Sequence, residues 1–149
     1  MQEFTRKELE EILGIPARRI QFYTDEELLV PEVDNPKGRG TTRRYSRFNL
    51  LELLIVRELS NSGVQLVKLK EILGKLREHV KGGSKLWDPK TENVSGGGGK
   101  LIVYNPQSEG CVIAVVSGAS RLITLDMARY RSALVVDIGN LIAGSPYFR

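Results

Sequence analysis

Cysteine and histidine each occur once, as Cys111 and His79. A disulfide within the chain is therefore excluded, and a zinc site of the usual Cys/His type lacks its ligands. Cys111 sits in the apolar run Cys111-Val112-Ile113-Ala114-Val115-Val116. A buried, inert thiol is expected there, ahead of a redox sensor or an intermolecular bridge. No apolar run approaches the roughly 20 residues of a membrane-spanning helix. The opening Met-Gln-Glu-Phe-Thr-Arg carries no apolar signal region, so a cytoplasmic protein is the expectation. Catalytic groupings are lacking too. Glu10-Glu11 and Glu26-Glu27 read as solvated faces with no second polar cluster converging on them. His79 falls near a helix C-terminus, where a cation is favourable. Ser95-Gly96-Gly97-Gly98-Gly99-Lys100 invites a phosphate-loop reading, but Val94 stands where that motif needs Gly and Leu101 where it needs Ser or Thr. It reads as a flexible linker. No enzyme, metal or cofactor is implied.

What remains is the composition of a packed globular chain. Apolar residues make up 41% and charged residues 27%, enough for a real core in one domain or two small ones. Net charge is +4, so its distribution matters more than its total. Residues 1–85 hold 16 Lys/Arg against 13 Asp/Glu, and residues 86–149 hold 6 against 5. The sharp feature is local: Lys37, Arg39, Arg43, Arg44 and Arg47 follow one another with no acid between them. A basic stretch with Gly and the interleaved Tyr45 suits a loop that tracks phosphates, although such a run can equally be a solvated surface.

Periodicity gives an α+β chain. Thr5 with Glu8 three residues on is a capping box, Leu9, Ile12 and Leu13 form one apolar face, and Gly14 stops the helix. Pro16 suits the entry of a second short helix carrying Ile20, Tyr23 and Thr24 inward, with Arg18, Arg19 and Gln21 on other sides. Two short helices joined by a Gly turn form the helix-turn-helix pattern. Leu28-Leu29-Val30-Pro31 is an extended apolar anchor. Residues 35–40 read as a loop, and Thr41 to Tyr45 as a returning strand, giving a two-stranded wing with a basic tip. Ser46 caps a third helix marked by Phe48, Leu51, Leu54, Ile55 and Leu59, ending at Asn61-Ser62-Gly63. A fourth carries Leu66, Leu69, Ile72, Leu73, Leu76 and Val80 and stops at Gly82-Gly83-Ser84. Trp87-Asp88-Pro89 reads as a turn. Apolar, β-branched segments at Leu101–Tyr104, Cys111–Val116, Leu122–Leu125 and Leu134–Ile138 suggest a β-meander. The last segment is contested, because Met127, Tyr130, Leu134, Ile138 and Leu141 would also stripe a helix. Val135-Val136 and Gly139 favour strand. The expected organisation is a winged helix-turn-helix over 1–82, four helices plus a two-stranded wing, then a Gly-rich linker over 83–100 and a small β-rich unit over 101–149.

The first half resembles the MerR family of winged-helix regulators. The resemblance lies in an ordered chain of pieces: Thr5-Arg6-Lys7-Glu8-Leu9, Gly14-Ile15-Pro16-Ala17-Arg18, Ile20-Gln21-Phe22-Tyr23, Glu27-Leu28-Leu29-Val30-Pro31, Arg43-Arg44-Tyr45-Ser46, and Gly63-Val64-Gln65-Leu66 to Ile72. It implies a bacterial, nucleoid-associated transcriptional regulator that binds double-stranded DNA. Helix 16–24 would enter the major groove and the basic wing 35–45 would hold the backbone. Carried over by position, Arg18, Arg19 and Gln21 become recognition-helix contacts, with Tyr23 either a phosphate contact or a packing aromatic. Arg43 and Tyr45 become wing contacts, and Lys37 and Arg39 the wing tip. Arg44 and Arg47 are either further contacts or ordinary surface charges. Arg can fork onto guanine or phosphate, and Gln can pair with adenine.

The chain also departs from the family. Gln21-Phe22-Tyr23 stands where Arg-Tyr-Tyr is common, and the wing is longer. Gly82-Gly83-Ser84 and Pro89 interrupt the long helix through which the family usually dimerises. A homodimer through some other interface is expected, with the C-terminal unit serving self-association, a protein partner or an effector. Two further readings remain: an interaction adaptor or antitoxin-like factor with the winged helix as scaffold, and an architectural or excision-type DNA bender.

Overall fold

The computed structural model describes residues 2–34, 38, 40–83, 86–94, 100–104, 111–115, 134–143 and 145–148. Helices α1 (Arg6–Leu13), α2 (Ala17–Asp25), α3 (Arg47–Asn61) and α4 (Leu66–Lys81) come first. The hairpin β1 (Trp87–Asp88) and β2 (Asn93–Val94) follows. A sheet of β3 (Lys100–Tyr104), β4 (Cys111–Val115) and β5 (Leu134–Asp137) comes next, then α5 (Ile138–Ala143) and a 3-10 turn at Pro146–Phe148. Among the described residues, no helix is long and apolar enough to cross a membrane.

Local chemistry sets the helix ends. The Thr5 backbone N–H donates to the Glu8 carboxylate at 2.7 Å, and the Glu8 N–H donates to Thr5 Oγ1 at 3.3 Å. The Thr5 backbone bond, with its hydroxyl, holds the Glu8 carboxyl below the usual carboxylate range, and Arg44 adds to this. Gly14 ends α1 at φ +67°, in the left-handed region that costs other residues energy. Arg57 of α3 donates to the Leu13 carbonyl at 2.9 Å, so the turn between α1 and α2 is pinned to the central helix.

Helix α3 is that centre. Every residue from Phe48 to Val56 is buried, as is Leu59, the pattern of a helix enclosed on all sides. Two of those buried residues are polar. Asn49 is fully buried and uses all four of its hydrogen-bonding positions. Its Oδ1 accepts from the backbone N–H of Ser46 (3.1 Å) and Glu32 (3.0 Å), and its Nδ2 donates to the Val30 carbonyl (2.9 Å) and Glu52 Oε2 (2.8 Å). Glu52, also fully buried, accepts from Arg77 Nε of α4 at 2.5 Å, and Arg77 donates on to the Leu28 carbonyl at 2.7 Å. One polar network therefore ties α3 and α4 to residues 28–32.

The wing expected as a two-stranded ladder is sparser than that. Among the described residues, single antiparallel bridges join Asp34 to Arg44 and Phe4 to Tyr45. Pro31 has no N–H to give a ladder, and Tyr45 takes its backbone partner from the chain start. The basic tip residues 35–37 and 39 lie outside the described residues.

The C-terminal third departs most from expectation. The order β4-β3-β5, antiparallel throughout, puts β3 in the middle, so β5 does not sit beside β4 as in a simple meander. The segment at 122–125 lies outside the described residues. Leu134–Ile138, expected as strand throughout, is strand only to Asp137. There the side chain accepts the Asn140 N–H at 3.1 Å and caps α5. Within the stretch expected as linker, residues 87–94 form the hairpin and Leu86 and Trp87 are buried. Asp88 closes the hairpin by accepting from the Lys90 N–H at 2.9 Å and the Thr91 hydroxyl at 3.0 Å. One core runs from Phe4 to Phe148, with Val136 and Ile138 inside it. Edge contacts link Phe48 to Trp87 (5.2 Å), Trp87 to Phe148 (6.4 Å) and Phe4 to Tyr147 (5.5 Å).

The polar network makes two testable demands. Desolvation pushes the Glu52 carboxyl up to about 7 from its ordinary 4.5, despite Arg77 and Asn49 favouring the charged form. Between those values the folded chain keeps a proton that the unfolded chain has released. Stability should therefore fall as pH rises through that window, by on the order of 3 kcal/mol. Urea unfolding from pH 4.5 to 7 measures this, and Glu52→Gln should flatten the profile. Separately, Arg77→Met should cost about 3 kcal/mol by stranding Glu52, while adding Glu52→Gln, which carries no charge and keeps an acceptor for Asn49, should restore part of it. Calorimetric melts of the single and double variants check the difference.

Candidate nucleic-acid interface

Helix α2 divides its residues by burial. Ile20, Tyr23 and Thr24 face the core, joined there by Leu9, Leu13 and Ile15. Arg18, Arg19, Gln21 and Phe22 are left exposed. Phe22 shows 48% of its surface, the larger of the two exposed hydrophobics between residues 17 and 34. The outward side of α2 thus offers two guanidinium groups, one amide and one aromatic face.

The segment joining α2 to α3, here termed the arm (residues 30–46), returns beside this helix. Arg43 forms an ion pair with Asp25 at the end of α2, at 2.9 Å, with both side chains partly exposed. Arg6 from the first turn of α1 donates to the Gln21 side-chain carbonyl. Between α2 and the arm lies a cleft of about 310 Å³, lined by Arg6, Gln21, Gly38, Thr41, Thr42, Arg43 and Tyr45. Two arginines, the Thr42 hydroxyl and an amide are the donors that a phosphate oxygen needs, while the Thr41 hydroxyl donates to the Gly38 carbonyl at 2.7 Å.

Tyr45 supports the cleft from inside. It is 1% exposed, and its hydroxyl lies 3.1 Å from Thr24 Oγ1. Thr24 gives its own hydroxyl hydrogen to the Ile20 carbonyl at 2.9 Å. The Tyr45 O–H must therefore donate to Thr24, which clips the end of the arm to α2. With that hydrogen spent, Tyr45 is not free to donate to a phosphate, contrary to the role the sequence suggests.

The sequence-derived residues separate as follows. Arg18, Arg19, Gln21 and Arg43 lie on α2 and the arm beside it. Arg44 is exposed on the arm, its backbone bridged to Asp34. Tyr23 is 6% exposed and packs in the core, which fits the packing alternative and removes most of its ring from solvent. Arg47 is brought elsewhere: its guanidinium sits 5.4 Å above the Phe148 ring, and the residue lines a different cavity. Lys37 and Arg39 lie outside the described residues.

Sequence reasoning passed over Arg6, Asp25, Thr41 and Thr42 as site residues. Arg6 lies in the first turn of α1, and Asp25 ends α2. Their roles appear only when the arm folds back across α2. A basic residue one position after an N-cap and an acid ending the second helix were the available signals.

Residues 4–76 match the family model described as MerR HTH family regulatory protein. A 68-residue stretch is 31% identical to a protein of Mycobacterium bovis and to one of Mycobacterium tuberculosis, each named as an uncharacterized HTH-type transcriptional regulator. That stretch covers 46% of this chain and 30% of each relative's length. The matched region holds α1 to α3, the arm and most of α4, so the cleft and all of the polar network except Arg77 fall within it. With the exposed helix, the Gly turn and the returning arm all in place, residues 4–76 of this chain belong to the MerR family of helix-turn-helix regulatory proteins.

Proposed function

We propose that this chain is a sequence-specific, double-stranded DNA-binding transcriptional regulator. In this reading α2 enters the major groove and the arm, with its basic tip, rides the sugar–phosphate backbone as a wing. The observation that carries it is the division of α2: Ile20, Tyr23 and Thr24 are buried, while Arg18, Arg19 and Gln21 are exposed beside the cleft that holds Arg43. A recognition helix needs this arrangement, rigid on one side and rich in forked donors on the other.

The roles divide accordingly. Arg18, Arg19 and Gln21 read base edges. Arg43 and Arg6 hold a phosphate in the cleft, with Thr42 as a neutral donor. Lys37 and Arg39 extend the contact along the backbone, and Arg44 adds a screened surface charge. Tyr23 and Tyr45 keep the helix and arm in register from within, and Phe22 presents an apolar face that a thymine methyl suits. The chain acts as a binding protein in the cytoplasm. It works as a homodimer, since two recognition helices spaced one duplex turn apart gain a second half-site.

Fluorescence anisotropy with genomic duplex fragments tests this reading. Arg18→Ala should weaken the preferred site by about 1–3 kcal/mol and relax its sequence preference. Arg43→Ala should weaken all duplexes alike and lower the salt slope by about 1. No measurable duplex affinity at about 50 mM salt would contradict the reading. Diffuse binding without a preferred fragment would favour a DNA bender instead. Analytical ultracentrifugation on the preferred fragment should find two chains per site.

A further inference from the structure

A second cavity, lined by described residues, is larger than the cleft beside α2. It measures about 570 Å³ and lies where the arm leaves and rejoins the helical core, closed on one side by the β1–β2 hairpin. That volume falls within the range of small-molecule sites. Its lining comes from Val30 and Glu32 at the outgoing end of the arm, Ser46 to Phe48 at the returning end, the last turns of α4, and the hairpin.

The walls are apolar and aromatic. Phe48 and Trp87 meet edge to face at 5.2 Å, and Val30 and Val80 complete the apolar surface. Val30 is 45% exposed although its neighbours Leu29 and Pro31 are buried. Such a surface takes a flat apolar body.

The polar groups favour one charge. Arg47 lines the cavity, and its Nε is buried without a hydrogen-bond partner among the described residues, a state that costs free energy until an acceptor arrives. Lys81 also lines it and has no acidic partner among the described residues. Arg77 is occupied by Glu52 and the Leu28 carbonyl. Of the two acids, Glu32 is exposed and accepts from the Ser46 hydroxyl, and Glu92 accepts from the Gln2 N–H at 3.4 Å. The acids have donors, whereas Arg47 Nε has no acceptor among the described residues. Ser46, Arg47 and Phe48 are also the cap and first turn of the fifteen-residue α3, whose dipole adds partial positive charge there.

We propose that this cavity binds a small aromatic compound carrying one anionic group, its ring against Phe48 and Trp87 and its anion on Arg47 and Lys81. Such an occupant touches both ends of the arm at once. The site goes beyond the DNA-binding reading and does not rest on it.

Trp87 is the sole tryptophan of the chain, so its fluorescence reports occupancy without any DNA present. The probe is 1-anilinonaphthalene-8-sulfonate, with uncharged N-phenyl-1-naphthylamine as its partner, titrated into the full folded chain. The anionic dye should bind saturably, one per chain, quench Trp87 by energy transfer, and bind about tenfold more tightly than the neutral one. Arg47→Gln should remove that preference and leave the neutral dye unchanged. Lys81→Glu, at an exposed position that keeps the fold, should weaken the anionic dye about tenfold. Val80→Trp, which fills the cavity, should abolish both. Equal affinity for the two dyes, no saturable binding, or anionic-dye binding that Lys81→Glu leaves untouched would overturn the proposal. Loss of duplex affinity in a chain that still binds the dye would count against the DNA reading alone.

Discussion

Asn49 carries more of this architecture than its size suggests. It sits with no exposed surface on the central helix and has each of its four hydrogen-bonding positions satisfied. Two of its partners, the Glu32 N–H and the Val30 carbonyl, belong to the segment that leads from α2 into the arm. A third, the Ser46 N–H, belongs to the point where the arm returns. One amide thus fixes both ends of the arm against α3. Glu52 and Arg77 extend the same network to α4 and to the Leu28 carbonyl. Buried polar groups are costly when unpaired and specific when fully paired. Here they set the position of a segment whose described residues are joined by isolated bridges.

The geometry of the cleft follows from that anchoring. With its ends fixed, the arm needs only two local ties to lie along α2: the Arg43–Asp25 ion pair and the hydroxyl contact from Tyr45 to Thr24. The first is partly exposed and weak alone. The second is buried and holds the arm from the core side. The C-terminal segment adds a third layer. Phe148 and Tyr147 pack back onto Trp87 and Phe4, and Asn93 donates to the Phe148 carbonyl at 3.1 Å. Chain start, arm end and chain end therefore meet on one side of α3.

Much of this was legible in the residues. Thr5 with Glu8, Gly14, Ser46 and the apolar spacing of the four helices are local signals, and each element appears within a residue or two of its expected bounds. Arg18, Arg19 and Gln21 could be placed outward because Ile20, Tyr23 and Thr24 point inward at helical spacing. Long-range choices were not legible. Asn49 and Glu52 look like ordinary polar helix residues until the arm and Arg77 arrive from far along the chain. Tyr45 reads as a phosphate contact until Thr24 takes its hydrogen. Arg47 reads as part of the basic run until Phe148 gives it a ring to sit on. Strand pairing in the C-terminal third depends on which partner is nearest in space, so β5 beside β3 could not be inferred from even spacing. The switch from strand to helix at Ile138 had a local cue in Asp137 and Asn140, masked by the β-branched residues before it.

The central claim is that α2 and the arm beside it form one surface for duplex DNA, positioned by the buried network beneath. Titrating a duplex into the isotope-labelled chain and following backbone amide shifts tests it residue by residue. The account predicts shifts concentrated in residues 17–25 and 38–45, with the hairpin at 87–94 and the C-terminal turn at 146–148 unmoved. Shifts centred on the hairpin or the C-terminal segment, with α2 silent, would contradict it.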